Sequence, residues 1–166
     1  MKKCFLFVLL HFSQFMFSQT AKQYLISGYE KVEKKDYESA IEDFNRAISI
    51  DPENVDSYSW RAYSNLMFGN VSLAIVDYTK VIEINPIDTS AYLNRGLAKL
   101  EIREFKGAMF DFNKVIEFDS KNISAYMNRG RLKLIIGDLD GACLDWSTAG
   151  ELGGDNVYEI IKEYCN

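Results

Sequence analysis

Asn94 and Asn128 stand 34 residues apart, and the same dipeptide follows each: Arg95-Gly96 and Arg129-Gly130. A carboxamide carries a donor and an acceptor on one planar group, which suits it to grip another backbone or to hydrate a protein wall. Arginine recurs at the same interval in Arg61, Arg95 and Arg129, with Ser27 in the corresponding earlier place. Aspartate recurs in step with it, as Asp43, Asp77, Asp111 and Asp145. Opposite charges repeated in register point to scaffold ion pairs, worth about 0–1 kcal/mol each when exposed. An anion site built from the arginines is the functional rival. Of three cysteines, Cys143 and Cys165 lie near the C-terminus and are open to a disulfide or to two buried thiols. Catalytic chemistry is poorly supplied. The single histidine, His11, sits in an apolar leader, and there is no glycine-rich phosphate loop or nucleophile motif. Without it, Ser-His-Asp catalysis, Cys-His catalysis and histidine-ligated metal sites fall away. The expectation is a chain that is not an enzyme and uses no cofactor or metal.

The leader begins with Met1-Lys2-Lys3, and Cys4 to Phe17 is mostly apolar, interrupted by His11, Ser13 and Gln14. That run is too short and too broken to span a bilayer and reads as the hydrophobic region of a secretory signal. Residues 1–18 are expected to be cleaved after Ser18; a cut after Ala21 and an uncleaved amphipathic anchor are the alternatives. Cys4 opens the apolar run rather than following it, unlike a lipoprotein cysteine. The character of the leader looks bacterial and places the protein in a periplasm or outside the cell. Removing Lys2 and Lys3 takes the net charge from −5 to −7. An acidic mature chain argues against nucleic acid and anionic membrane surfaces as partners, and no membrane insertion is expected once the leader is gone.

The elements that must position these residues follow the same interval. Written in blocks from Ala21, the chain gives 21–54, 55–88, 89–122 and 123–156. Tyr24, Tyr58, Tyr92 and Tyr126 coincide, as do Gly28, Ala62, Gly96 and Gly130. Ala40, Ala74, Ala108 and Ala142 are all alanine; Phe44, Tyr78, Phe112 and Trp146 are all aromatic. Within each block, apolar residues recur at helical spacing in two halves, as in Tyr92, Leu93, Leu97 and Leu100, then Phe105, Ala108, Phe112 and Val115. Short breakers such as Lys35-Asp36, Gly69-Asn70 and Gly137-Asp138 separate the halves, and Asp51-Pro52 and Asn85-Pro86 close blocks. Gly96 opposite Ala108 would let two helices approach closely, with Phe112 filling the space beside them. Because arginine is missing only from the first block, its partner is expected in the preceding block: Asp43–Arg61, Asp77–Arg95 and Asp111–Arg129. Pairing within one block is the alternative and would leave Asp43 facing Ser27.

Helix-turn-helix units of period 34, with the pattern aromatic, glycine, then Ala-x3-aromatic and proline, resemble tetratricopeptide repeats. The resemblance spans 21–156. It implies an all-α fold, a right-handed superhelical α-solenoid of four repeats, closed by a C-terminal capping helix. The last block departs from the pattern: Gly150 replaces an apolar residue, and "ACLDWSTAGELGG" is similar to Sel1-like repeats. Gly150 to Asp155 is therefore expected to form a sharper turn into a cap within 156–166, its helix over Asn156–Tyr164. Cys143 and Cys165 are then equally far from a turn near Gly154, which would bring them to one height in an antiparallel pair. Closing that loop would contribute about 3 kcal/mol.

The resemblance also implies that first helices line a concave groove. Its candidate partner-binding residues are Tyr29, Trp60, Tyr63, Leu93, Asn94, Leu97, Met127, Asn128 and Arg131. Asn94 and Asn128 occupy places where asparagine in this family bonds an extended peptide. The carboxylate clamp of some family members is not matched: its places hold Leu25 and Tyr29, Trp60, then Ser90 and Asn94, or, one repeat later, Ser59 and Tyr63, Asn94, then Ser124 and Asn128. The expected function is an exported scaffold or adaptor for a protein or peptide partner, taking an extended peptide or a helix. The alternative is an envelope glycan-binding module that stacks sugars on Tyr29, Trp60 and Tyr63. A bland reading of Trp60 and Tyr63 has them packed against neighbouring helices. The oligomeric state is not legible.

Overall fold

The computed structural model describes residues 20–155 and 157–165; the expected signal, 1–18, lies outside the described residues. The described chain is all-α. Helix α1 covers 20–33, followed by α2 Tyr37–Ile50, α3 Val55–Phe68, α4 Val71–Ile84, α5 Thr89–Glu101, α6 Phe105–Phe118, α7 Ile123–Ile135, α8 Leu139–Glu151 and α9 Val157–Tyr164.

Short polar residues start most of these helices, because their side chains satisfy an amide that has no partner in the first turn. Asp36, Asn54, Asp88, Asn122 and Asp138 each accept the backbone N–H three residues on, at 2.8–3.2 Å. The turn inside each helix pair carries a left-handed residue, at Lys35, Gly69, Arg103 and Gly137. Glycine meets that need without steric cost, whereas Lys35 and Arg103 hold φ of 61° and 62°.

Two compact units divide the chain, Met1–Ile84 and Asn85–Asn166. The first holds α1 to α4. Its core is Ala40, Phe44 and Ala47 of α2, Ala62 of α3, and Ala74, Tyr78 and Val81 of α4, all buried. The second holds α5 to α9, with successive helices packed on one another. One cluster there joins Leu100, Ala108, Phe112 and Leu132; another joins Ala142, Trp146, Ala149 and Val157 of α9.

The close approach of paired helices turns on an aromatic ring. A Cβ on Gly96 would lie 2.8 Å from Phe112 Cε1, so the aromatic ring itself occupies the glycine's missing side chain. Gly28 stands in the same way against Phe44, and Gly130 against Trp146. The small residue therefore makes room for the ring that was expected beside it. Gly150 departs from the sequence reading. It belongs to the last turn of α8, buried 3.6 Å from Val157 measured from a Cβ built on it. The change of direction falls at Gly153, which has φ 91°.

Candidate functional site

Each repeat buries one aspartate and surrounds it with donors. Asp111 is fully buried; Arg95 Nε and Nη2 donate to its two oxygens at 3.0 and 2.7 Å, and Lys99 Nζ lies 2.8 Å away. Asp145 has the same arrangement from Arg129 at 2.9 and 2.6 Å and Lys133 at 2.9 Å. Asp77 takes the Arg61 fork at 2.9 and 2.6 Å, with Asn65 in the lysine's place. Such two-point arginine–carboxylate contacts fix geometry as well as charge. Asp43 has no arginine at the fork position. Ser27 Oγ donates to it at 2.6 Å, Lys31 pairs at 2.6 Å and Arg46 at 3.5 Å. Burial pushes the Asp43 carboxyl up, but the bonds from Lys31 and Ser27 and the charges of Lys31 and Arg46 outweigh it and hold it below its ordinary value. The hydrogen bond to Asp145 likewise raises Arg129 against the opposing effect of burial.

These pairs correct the expected register. Arg61 pairs with Asp77, Arg95 with Asp111 and Arg129 with Asp145, all within one repeat, while Asp43 faces Ser27. In place of the expected Asp43–Arg61, Asp77–Arg95 and Asp111–Arg129 pairs, each arginine makes its two-point carboxylate contact with the aspartate of its own repeat. Asp43 shares the buried face of α2 with Ala40, Phe44 and Ala47, and Phe44 of that face packs against Gly28 of α1, the helix that carries Ser27. Arginine does reach back to the preceding repeat, through a neutral partner: Arg61 Nη1 donates to Asn45 Oδ1 at 2.6 Å and Arg129 Nη1 to Asn113 Oδ1 at 2.7 Å. The guanidinium planes also lie over tyrosines of their own helices, Arg61 over Tyr58, Arg95 over Tyr92 and Arg129 over Tyr126, at 5.4–5.5 Å. Where Ser27 replaces arginine, Arg46 of α2 covers Tyr24 instead, at 5.6 Å. The arginines are therefore committed to the framework. Among the described residues, no buried side-chain nitrogen or oxygen lacks a partner.

Side chains outside this framework form two surfaces. In the first unit, α1 and α3 bring Tyr29, Trp60 and Tyr63 together. Tyr29 and Trp60 meet edge to face with centroids 4.9 Å apart, and Trp60 and Tyr63 do so at 5.7 Å. Tyr37 of α2 adds a third right-angle contact, to Tyr63 at 6.4 Å. Trp60 and Tyr63 are each 38% exposed, so they pack on one another and still meet solvent. Burial raises the pKa of the half-buried Tyr29 hydroxyl, the charge of Asp56 adds to this, and a hydrogen bond with Trp60 opposes it. On the second-helix side, burial with the charge of Asp77 pushes Tyr78 up to about 12.

In the second unit, a cleft of about 560 Å³ runs between α5 and α7, lined by Leu97, Glu101, Phe105, Arg131 and Ile135. It adjoins a larger one of about 840 Å³ bounded by Arg103, Phe105, Lys106, Met109 and Ile136. Leu93 and Leu97 rest on the core below. Met127 packs on the last cluster, and its carbonyl accepts from Trp146 Nε1 at 3.3 Å. Asn94 is half-buried. Asn128 Nδ2 donates to Ser124 O of its own helix at 2.7 Å, leaving its Oδ1 for another partner. Arg103, Phe105 and Met109 line these clefts without having been among the expected groove residues; Arg103 sits at a turn, and the helical spacing of Phe105 marks it for packing rather than for a cleft wall. Cys143 and Cys165 are joined as a disulfide with Cα atoms 5.8 Å apart. No group of His, Cys, Asp and Glu fit for a metal occurs among the described residues, and no described helix is long and apolar enough to cross a membrane.

Two family models match the chain: a TPR repeat over residues 28–67 and a tetratricopeptide repeat over 89–122. Solved structures share the fold. YrrB, described as a TPR protein with an unusual peptide-binding site, superposes with TM-score 0.78 at 22% identity, covering 87% of this chain and 76% of that one. MamA gives 0.77 at 22% identity over 81% and 73% of the two chains. The first TPR of Spaghetti (RPAP3), bound to the HSP90 peptide SRMEEVD, gives 0.69 at 23% identity over 72% and 94%. No curated protein matches the chain by sequence.

Proposed function

We propose that this chain, a tetratricopeptide-repeat protein, is an exported interaction scaffold whose first-helix faces receive a protein partner as an extended peptide or a helix. The observation that carries this reading is the contrast between a satisfied framework and large side chains left in solvent. Every repeat spends its aspartate and aromatic ring on packing, and three of the four an arginine as well, yet Ile26, Trp60, Tyr63, Met67 and Ile135 remain exposed. Apolar and aromatic side chains held on rigid helices are the usual material of partner sites. Two of the structural neighbours, YrrB and the Spaghetti repeat, are described with peptides, which supports a peptide here without naming it. The acidic peptide of the latter is a poor guide, since Leu25, Tyr29, Trp60 and Ser90 stand where a carboxylate clamp would need lysine and asparagine. Glycan stacking is less well supported, because Tyr29, Trp60 and Tyr63 meet at 75–78° rather than as a flat platform.

Export is supported by the basic and apolar leader and by the Cys143–Cys165 bond, which persists in oxidising compartments. The role is one of binding, carried by apolar and aromatic side chains rather than by a catalytic group. Pull-down from native envelopes with the full chain tests the surface. Trp60→Ala/Asn94→Ala should lose the partner that the unaltered chain retains; equal recovery by both would remove the first-helix faces from the account.

A further inference from the structure

The aromatic corner of the first unit has a chemistry more specific than general stickiness. Tyr29, Trp60 and Tyr63 present rings at near right angles, with Trp60 central and both outer contacts edge to face. Ring faces carry negative quadrupole charge, and a face that such a corner leaves to solvent, as the exposure of Trp60 and Tyr63 allows, is a site for a cation. The charged side chains on the same helical faces are mostly acidic. Asp56 precedes Trp60 by one turn of α3 and acts electrostatically on Tyr29. Glu33 follows Tyr29 by one turn of α1, and Glu30 is its exposed neighbour. Lys31 is turned away and held by Asp43 at 2.6 Å; Lys22, two turns before Tyr29, is the cation nearest in register on that face of α1.

From this juxtaposition we infer that the Tyr29–Trp60–Tyr63 corner, with Asp56 beside it, binds a cationic side chain of the partner, an arginine or lysine in a peptide segment. The inference rests on the first-helix face being the binding surface and adds the charge of what that face selects. The ammonium or guanidinium packs against the rings while its charge lies toward Asp56, and the exposed Ile26, one turn before Tyr29 on α1, receives the aliphatic stem. The preference is opposite in sign to that of a carboxylate clamp.

The full-length chain with its disulfide intact tests this by the indole signals of its two tryptophans. Trp146 is buried against the last helix pair and serves as an internal control of folding. The probes are blocked alanine heptapeptides with a central arginine, lysine, leucine or glutamate. The arginine and lysine peptides should shift the Trp60 signal saturably, leave Trp146 unmoved, and bind about tenfold more tightly than the leucine peptide. Asp56→Asn, at an exposed position, should weaken the arginine peptide selectively at the Trp60 signal; by titration calorimetry, which needs no indole at the site, Trp60→Phe should retain part of the binding that Trp60→Leu abolishes. Equal response to leucine and arginine peptides, or preference for glutamate, overturns the cation assignment while leaving a peptide-binding face. Absence of any response at Trp60 from all four peptides overturns both.

Discussion

Asp111 shows why a recurring charge in this chain is structural. It is buried beneath Arg95 and Lys99, and removing it would strand two cations whose geometry was set by its oxygens. Loss of one partner from a buried ion pair costs about 3–5 kcal/mol, far more than the 0–1 kcal/mol of an exposed pair such as Lys114–Glu117. Asp111→Ala should therefore lower stability by that larger amount in urea unfolding, and Glu117→Ala should barely change it. Asp43 adds a dependence on pH. Its carboxyl is held below the ordinary value in the folded chain, so the unfolded chain takes up that proton first as pH falls. The stability it contributes is full above the ordinary carboxylate pKa of about 4 and is lost as pH drops through the folded value. The advantage of the unaltered chain over Asp43→Asn should be largest near neutral pH and shrink in acid, measured by urea unfolding across pH.

Helix pairs depend on where a ring meets a missing side chain. Gly96→Ala places a methyl 2.8 Å from Phe112 Cε1 and 3.2 Å from Asp111 Cβ, so a buried ring must shift. Overpacking of that kind costs about 1–3 kcal/mol, of which alanine's better helix propensity returns about 1 kcal/mol. A net loss near 1 kcal/mol is expected. Gly150→Ala meets its nearest neighbour only at 3.6 Å and should be neutral or slightly stabilising, and the two melts together check the packing. Helix α9 has 8 residues, too few to hold itself in water. Val157 in the core and the Cys143–Cys165 bond, which closes a 22-residue separation, hold it in place. Replacing both cysteines with serine should cost about 3 kcal/mol and speed amide exchange over Val157–Tyr164 well beyond that of α7.

At the scale of the whole chain, processing and charge act together. Loss of 1–18 would remove the only histidine and leave a net charge of −7, and N-terminal mass analysis of protein from its native compartment should find Gln19 first and both remaining cysteines oxidised. A chain that starts at Met1 with free thiols would argue against export. The 34-residue period was enough, by itself, to determine the helix pairs, the buried faces and the repetition of Asp43, Asp77, Asp111 and Asp145, because helical periodicity and burial are local properties of sequence. It also placed Cys143 and Cys165 at one height, since antiparallel helices pair residues equidistant from their turn. Equidistance is degenerate, however. Asp43 and Arg61 are symmetric about the turn near Pro52, and Arg61 and Asp77 about Gly69. A residue's place around its helix axis decides between two such neighbours, and the packed core sets that rotation. Only the tertiary structure could therefore give Arg61 to Asp77, leave Asp43 to Ser27 and Lys31, and free Tyr29, Trp60 and Tyr63 to form one corner facing solvent.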